Sequence, residues 1–141
     1  MPPSKARNMA RQLLARETRG ADQEDAVAAA LQRLCTRVSD NLRQSVGDDG
    51  CNALVARVLR RTEPEHPVLT DIRRVTDAGI YLDRVSAGVE SHGIGAVQAA
   101  IEALLAALID VLAGLIGADM VLNLLDHDDP SSHASRRRQA Q

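Results

Sequence analysis

Apolar residues recur along most of this chain at intervals of three and four, the spacing of one helical face rather than the alternation of a strand. The clearest run is Val27, Leu31, Leu34, Val38, Leu42 and Val46. Asp22 precedes it in N-cap position, with Glu24 and Asp25 where the helix dipole favours anions. The pattern predicts a helix from an Asp22 cap to about residue 46, with Arg33, Arg37 and Arg43 left in water. Gly47-Asp48-Asp49-Gly50 predicts a stop and restart. A further helix over about 50–62 places Cys51, Leu54, Val55, Val58 and Leu59 inward, and Pro64 and Pro67 close it. The two helices are expected to form an antiparallel hairpin.

Upstream, residues 5–18 have helical composition with a thin stripe of Met9, Leu13 and Leu14, ended by Gly20. Downstream, the stretch 68–92 is ambiguous. Leu69, Ile72 and Val75 are helically spaced, whereas Thr76-Asp77-Ala78-Gly79 is turn chemistry between two short apolar runs. A short helix and a two-strand hairpin are both compatible with it, followed by a small helix over 81–91 with Leu82, Val85 and Val89 inward. The longest predicted element covers about 96–126, roughly 45 Å at helical rise. Its apolar residues take up more than half of the circumference, so neighbours or a second chain must enclose it. Gly114 and Gly117 permit close approach or a bend. The expected fold is all-α: a small helical bundle with one long Leu/Ala-rich C-terminal helix and, in the middle, room for one short β-hairpin. Residues 1–126 read as one domain and 127–141 as a disordered polar tail.

Composition narrows the function classes. The 141 residues include a single aromatic, Tyr81. Modules that stack bases or cage cations on aromatic rings are thereby excluded. Cys35 and Cys51 are the only cysteines, and no secretory signal is visible, so a cytoplasmic setting with free thiols is expected. In the proposed hairpin the two lie roughly 15 Å apart along the helix, beyond disulfide reach. Residues 99–125 are apolar, but Asp110 interrupts them; a buried helix is expected there rather than a membrane span.

Charge is unevenly spread. Residues 1–19 carry Lys5, Arg7, Arg11, Arg16 and Arg19 against Glu17, and Arg136 to Arg138 lie near the other end, on a chain of net charge -2. Arg7, Arg11, Arg16 and Arg19 form a candidate basic patch. The acidic body repels phosphate, so nucleic acid is an unlikely partner. No nucleotide-binding or nucleophile-elbow motif occurs. His127, Asp128, Asp129 and His133 are metal-ligand types, yet they fall in the predicted tail, and no metal or cofactor is expected. Glu102, Asp110 and Asp119 do not share one helical face, which argues against a catalytic carboxylate pair; Asp110 has the option of an arginine from the second helix.

Gly47-Asp-Asp-Gly-Cys-Asn-Ala-Leu-Val-Ala-Arg-Val-Leu59, the turn at Asp77-Ala-Gly79 and Leu115-Ile-Gly-Ala-Asp-Met120 resemble a loose group of small uncharacterised bacterial helical proteins, over residues 25–126. The resemblance implies a helical fold and no activity. The expected function is a non-enzymatic protein–protein interaction or regulatory module. It would meet a second copy of itself, as a homodimer, and another protein. The expected seam is Leu108, Leu112, Leu115 and Ile116. Alternatives are a small-ligand sensor with an apolar pocket between the second and last helices, and a weak nucleic-acid accessory acting through basic termini.

Overall fold

A computed structural model describes residues 3–125. Helix α1 (Pro3–Glu17) leads through an exposed turn into α2 (Glu24–Thr62), which is two helical arms joined at Gly47. Gly47 takes φ 82° and ψ 170°, a conformation reserved in practice for glycine. The arms fold against each other. The Cys51 thiol lies 3.9 Å from the Ser39 carbonyl oxygen, whereas twelve residues of straight helix would separate the two by roughly 18 Å. The predicted hairpin of helices is therefore present, with a one-residue corner in place of the four-residue loop. Asp48 does not cap the second arm; Arg43 engages it at 3.4 Å. At the other end of α2 the N-cap position falls on Gln23, not Asp22.

The ambiguous stretch contains both of its alternatives in succession. Helix α3 (Leu69–Ile72) is a single turn, and β1 (Arg74–Thr76) pairs antiparallel with β2 (Gly79–Tyr81), Val75 opposite Ile80. The Thr76 hydroxyl accepts hydrogen bonds from the Ala78 and Gly79 amides and so closes the turn. Helix α4 (Val85–His92) follows, with Val85 and Val89 buried as expected. Its Gly88 lies so close to Ile72 that a Cβ there would come within 2.3 Å of Ile72 Cγ2.

Helix α5 (Ile94–Ile116) is the central element, and α6 (Ala118–Leu125) completes the described chain. The single long helix expected over 96–126 is thus broken. Gly117, at φ 88° and ψ 152°, turns the chain, while Gly114 stays helical. The core lies where α5 crosses both arms of α2, with Leu31, Leu34, Leu42, Ile101, Ile109 and Leu112 at 1% exposure or less. α5 is long and apolar enough to cross a membrane, but half of its most apolar window is buried inside this fold, the property of a core helix. Val46, counted at the end of the inward stripe, is instead 43% exposed, because the chain turns at the next residue before that side chain reaches the core.

Candidate functional site

The expected seam along the last helix divides at the level of Leu112. Leu108 and Leu112 are buried in the chain's own core, at 5% and 1% exposure, and not at the surface. They cannot form a surface seam while the core stays closed, and that part of the expectation is corrected. Leu115 is 67% exposed and Ile116 41%. Four residues further on, across the Gly117 corner, Met120 is 55% exposed. Below this corner Val121 and Leu125 are fully buried and hold α6 to the body, so the corner has a packed foundation. Soluble chains scatter single apolar residues over their surfaces; three large ones within six residues around one turn are a cluster.

The polar constellations behave differently. Asn52, in the second arm of α2, accepts hydrogen bonds at Oδ1 from the Ile80 amide at 3.3 Å and from Arg43 at 3.1 Å. Its Nδ2 donates to the Ala78 carbonyl at 3.2 Å. Arg43 also donates to the Ile80 carbonyl and lies 4.8 Å from the centre of the Tyr81 ring. Arg74 covers the same ring at 5.0 Å and donates twice to Asp83. The Arg74 guanidinium holds the Asp83 carboxyl below its ordinary value of 3.8. Gln32, in the first arm, donates to the Leu82 carbonyl and accepts from the Val85 amide at the start of α4. Two amides of α2 thus grip the two ends of the hairpin segment. Arg43, expected in water, is only 15% exposed and is the hub of this clamp. Spacing alone carried no signal for Gln32, Arg43 or Asn52, because their partners in the hairpin segment lie 26 to 53 residues away.

The candidate basic patch is exposed, but part of it is engaged within the fold. Arg7 and Arg11, one turn apart on α1, both contact Glu102 of α5, at 3.2 and 3.0 Å. Arg16 is engaged in an interaction within the chain, and Arg19 is exposed in the turn after α1. Glu17 takes Arg33 and Arg37 along an open groove of about 490 Å³ that Thr36 and Asp40 also line. Asp110 pairs with Arg61 at 3.7 Å, from the second arm of α2 rather than the first. Arg136 to Arg138 and the stretch from His127 to His133 lie outside the described residues. Among the described residues no group of three or more His, Cys, Asp or Glu side chains is placed to hold a metal ion.

An apolar cavity does lie between α2 and α5, lined by Cys35, Val38, Leu42, Val58, Leu104 and Leu108. Its volume is about 30 Å³, room for about one water molecule, whereas small-molecule sites measure about 300–1,000 Å³. Both cysteines are free and buried. Burial pushes the Cys35 thiol up to about 12 and raises that of Cys51 as well, which disfavours the thiolate form of both. Compared with protein-family models, curated proteins and solved structures, the chain matches none.

Proposed function

We propose that this protein is a non-enzymatic interaction module of the cytoplasm. Its contact surface is the apolar corner of Leu115, Ile116 and Met120, which it offers to a second copy of itself and to another protein. The observation that carries the reading is the exposure of these three side chains on a corner whose underlying residues are fully buried. Polar groups that cluster elsewhere are bound to one another, which favours a scaffold over a reaction centre. The size of the apolar cavity favours the interaction reading over a small-ligand sensor. The engagement of Arg7 and Arg11 by Glu102 weighs against nucleic acid.

The test is light scattering of the full chain, beside a Leu115→Asp/Met120→Asp variant. We expect the wild type to associate in the micromolar range and the variant to stay at 15.1 kDa with an unchanged melting temperature. A wild type that remains at 15.1 kDa up to about 100 μM would overturn self-association, since that bounds it at weaker than about −5.5 kcal/mol.

A further inference from the structure

Helix α1 packs chiefly on α5, more than seventy residues away in sequence, and less on its neighbour α2. It runs antiparallel to α5, with Thr18 near Gln98 and Ala6 near Ala106. Small side chains make up much of the contact. Among the described residues of α1, Ala6 and Ala10 are buried beside Met9 and Leu13, and Leu14 is partly buried against the core. Ala103, Ala106 and Ala107 line the facing side. Such a surface buries little apolar area per residue. A 15-residue helix with so little to bury is marginal on its own.

Its specificity comes from charge. Arg7 and Arg11 converge on Glu102, and Glu17 reaches Arg33 and Arg37. All of these pairs run between α1 and the rest of the chain, so they survive intact if α1 is supplied by another copy. The turn that tethers α1 is exposed and lightly held. Gly20 stands at φ 82° with nothing within 4 Å of where a Cβ would be, and Arg19, Asp22 and Gln23 around it are exposed. Two backbone hydrogen bonds, Thr18 to Leu14 and Ala21 to Thr18, hold it.

We infer that α1 is an exchangeable element: the turn at Gly20 opens and α1 docks on α5 of a second copy, which returns its own α1 in the same way. Exchange of identical elements needs no new complementary surface, since each contact made within one chain is remade between two. This inference is independent of the apolar corner.

The test uses the full chain with Leu115→Asp and Met120→Asp in every sample, so that association at the corner does not contribute. One variant carries Arg7→Glu and Arg11→Glu; the other carries Glu102→Arg. Each alone places like charges against one another, within a chain or between identical chains. Mixed and refolded together, the two are matched only when each supplies its α1 to the other. The expected result is a one-to-one species of twice the 15.1 kDa chain mass, melting about 5 °C or more above either variant alone. A mixture that melts as the sum of its parts with no two-chain species overturns the inference. Should either variant fail to fold, Gly20→Ala decides. It disfavours the closed turn in both copies, so exchange predicts an association constant raised at least about tenfold. A Gly20→Ala protein that stays at one-chain mass and merely melts lower overturns it equally.

Discussion

At the hairpin, Arg43, Asn52, Tyr81 and Arg74 spend their donors, acceptors and ring faces on one another and on the local backbone. At the α5–α6 corner, Leu115, Ile116 and Met120 meet solvent. By residue type the first region looks like a site and the second like ordinary core. Their surroundings differ: the polar groups of the first are engaged within the fold, and the apolar side chains of the second are exposed. A charged or aromatic residue marks a binding surface only when its interactions are left over after folding, and at the hairpin little is left over. A leucine marks one when folding leaves it uncovered.

The sharpest way to break this comparison lies within α5. Leu112→Asp puts an unpaired carboxylate into the core and should cost about 3–5 kcal/mol, a large part of the total in a protein of ordinary stability and a marked fall in melting temperature. Leu115→Asp, less than one turn away, should change stability by less than about 0.5 kcal/mol. Equal effects from the two would erase the distinction between core and corner. A smaller effect is expected at the clamp. Asn52→Ala strands the Ile80 amide, the Ala78 carbonyl and one donor of Arg43, and urea unfolding should show a loss of about 1–3 kcal/mol. A loss near zero would mean that water replaces Asn52 freely and that the hairpin is not gripped.

The smallest effect concerns acid. Asp83 is held below its ordinary value by Arg74, so its ionised form is favoured in the folded state. Its contribution is complete above the ordinary carboxylate range and is lost as pH falls through the lowered folded value. The pair is more than a third exposed, so only a modest loosening is expected, visible as faster amide exchange at Arg74 and Tyr81 in acid. Asp83→Asn should remove that pH dependence while leaving α5 exchange unchanged.

The helices were legible because period and punctuation are local. The stripe from Val27 to Leu42, the stop at Gly47, the prolines after Thr62 and the Thr76 turn all state their structure within a few residues. The corner was half legible. Leu115 and Ile116 are exposed, whereas Leu108 and Leu112 on the same helix are buried, because the apolar spacing of α5 does not say which part of its wide apolar arc the other helices cover. Nothing local separates Gly114, which stays helical, from Gly117, which turns the chain. The clamp was illegible for a different reason. Whether an arginine such as Arg43 is wet depends on what lands beside it, and its partners Ile80 and Tyr81 arrive from the far side of two intervening elements.

Gly47, Gly93 and Gly117 share one backbone shape, φ 82° to 88° and ψ 152° to 170°, each ending one helical segment as the next begins. None has an atom within 4 Å of where a Cβ would stand. A tolerance profile of the chain, with every residue replaced in turn, would therefore not follow burial. It should show isolated peaks of intolerance at these three positions, as at Gly20, although they touch nothing, since any side chain there strains the backbone however much space surrounds it. Relatives that keep this architecture should be recognisable by those three glycines at their spacings of 46 and 24 residues, even after the apolar residues between them have been exchanged for others of similar size.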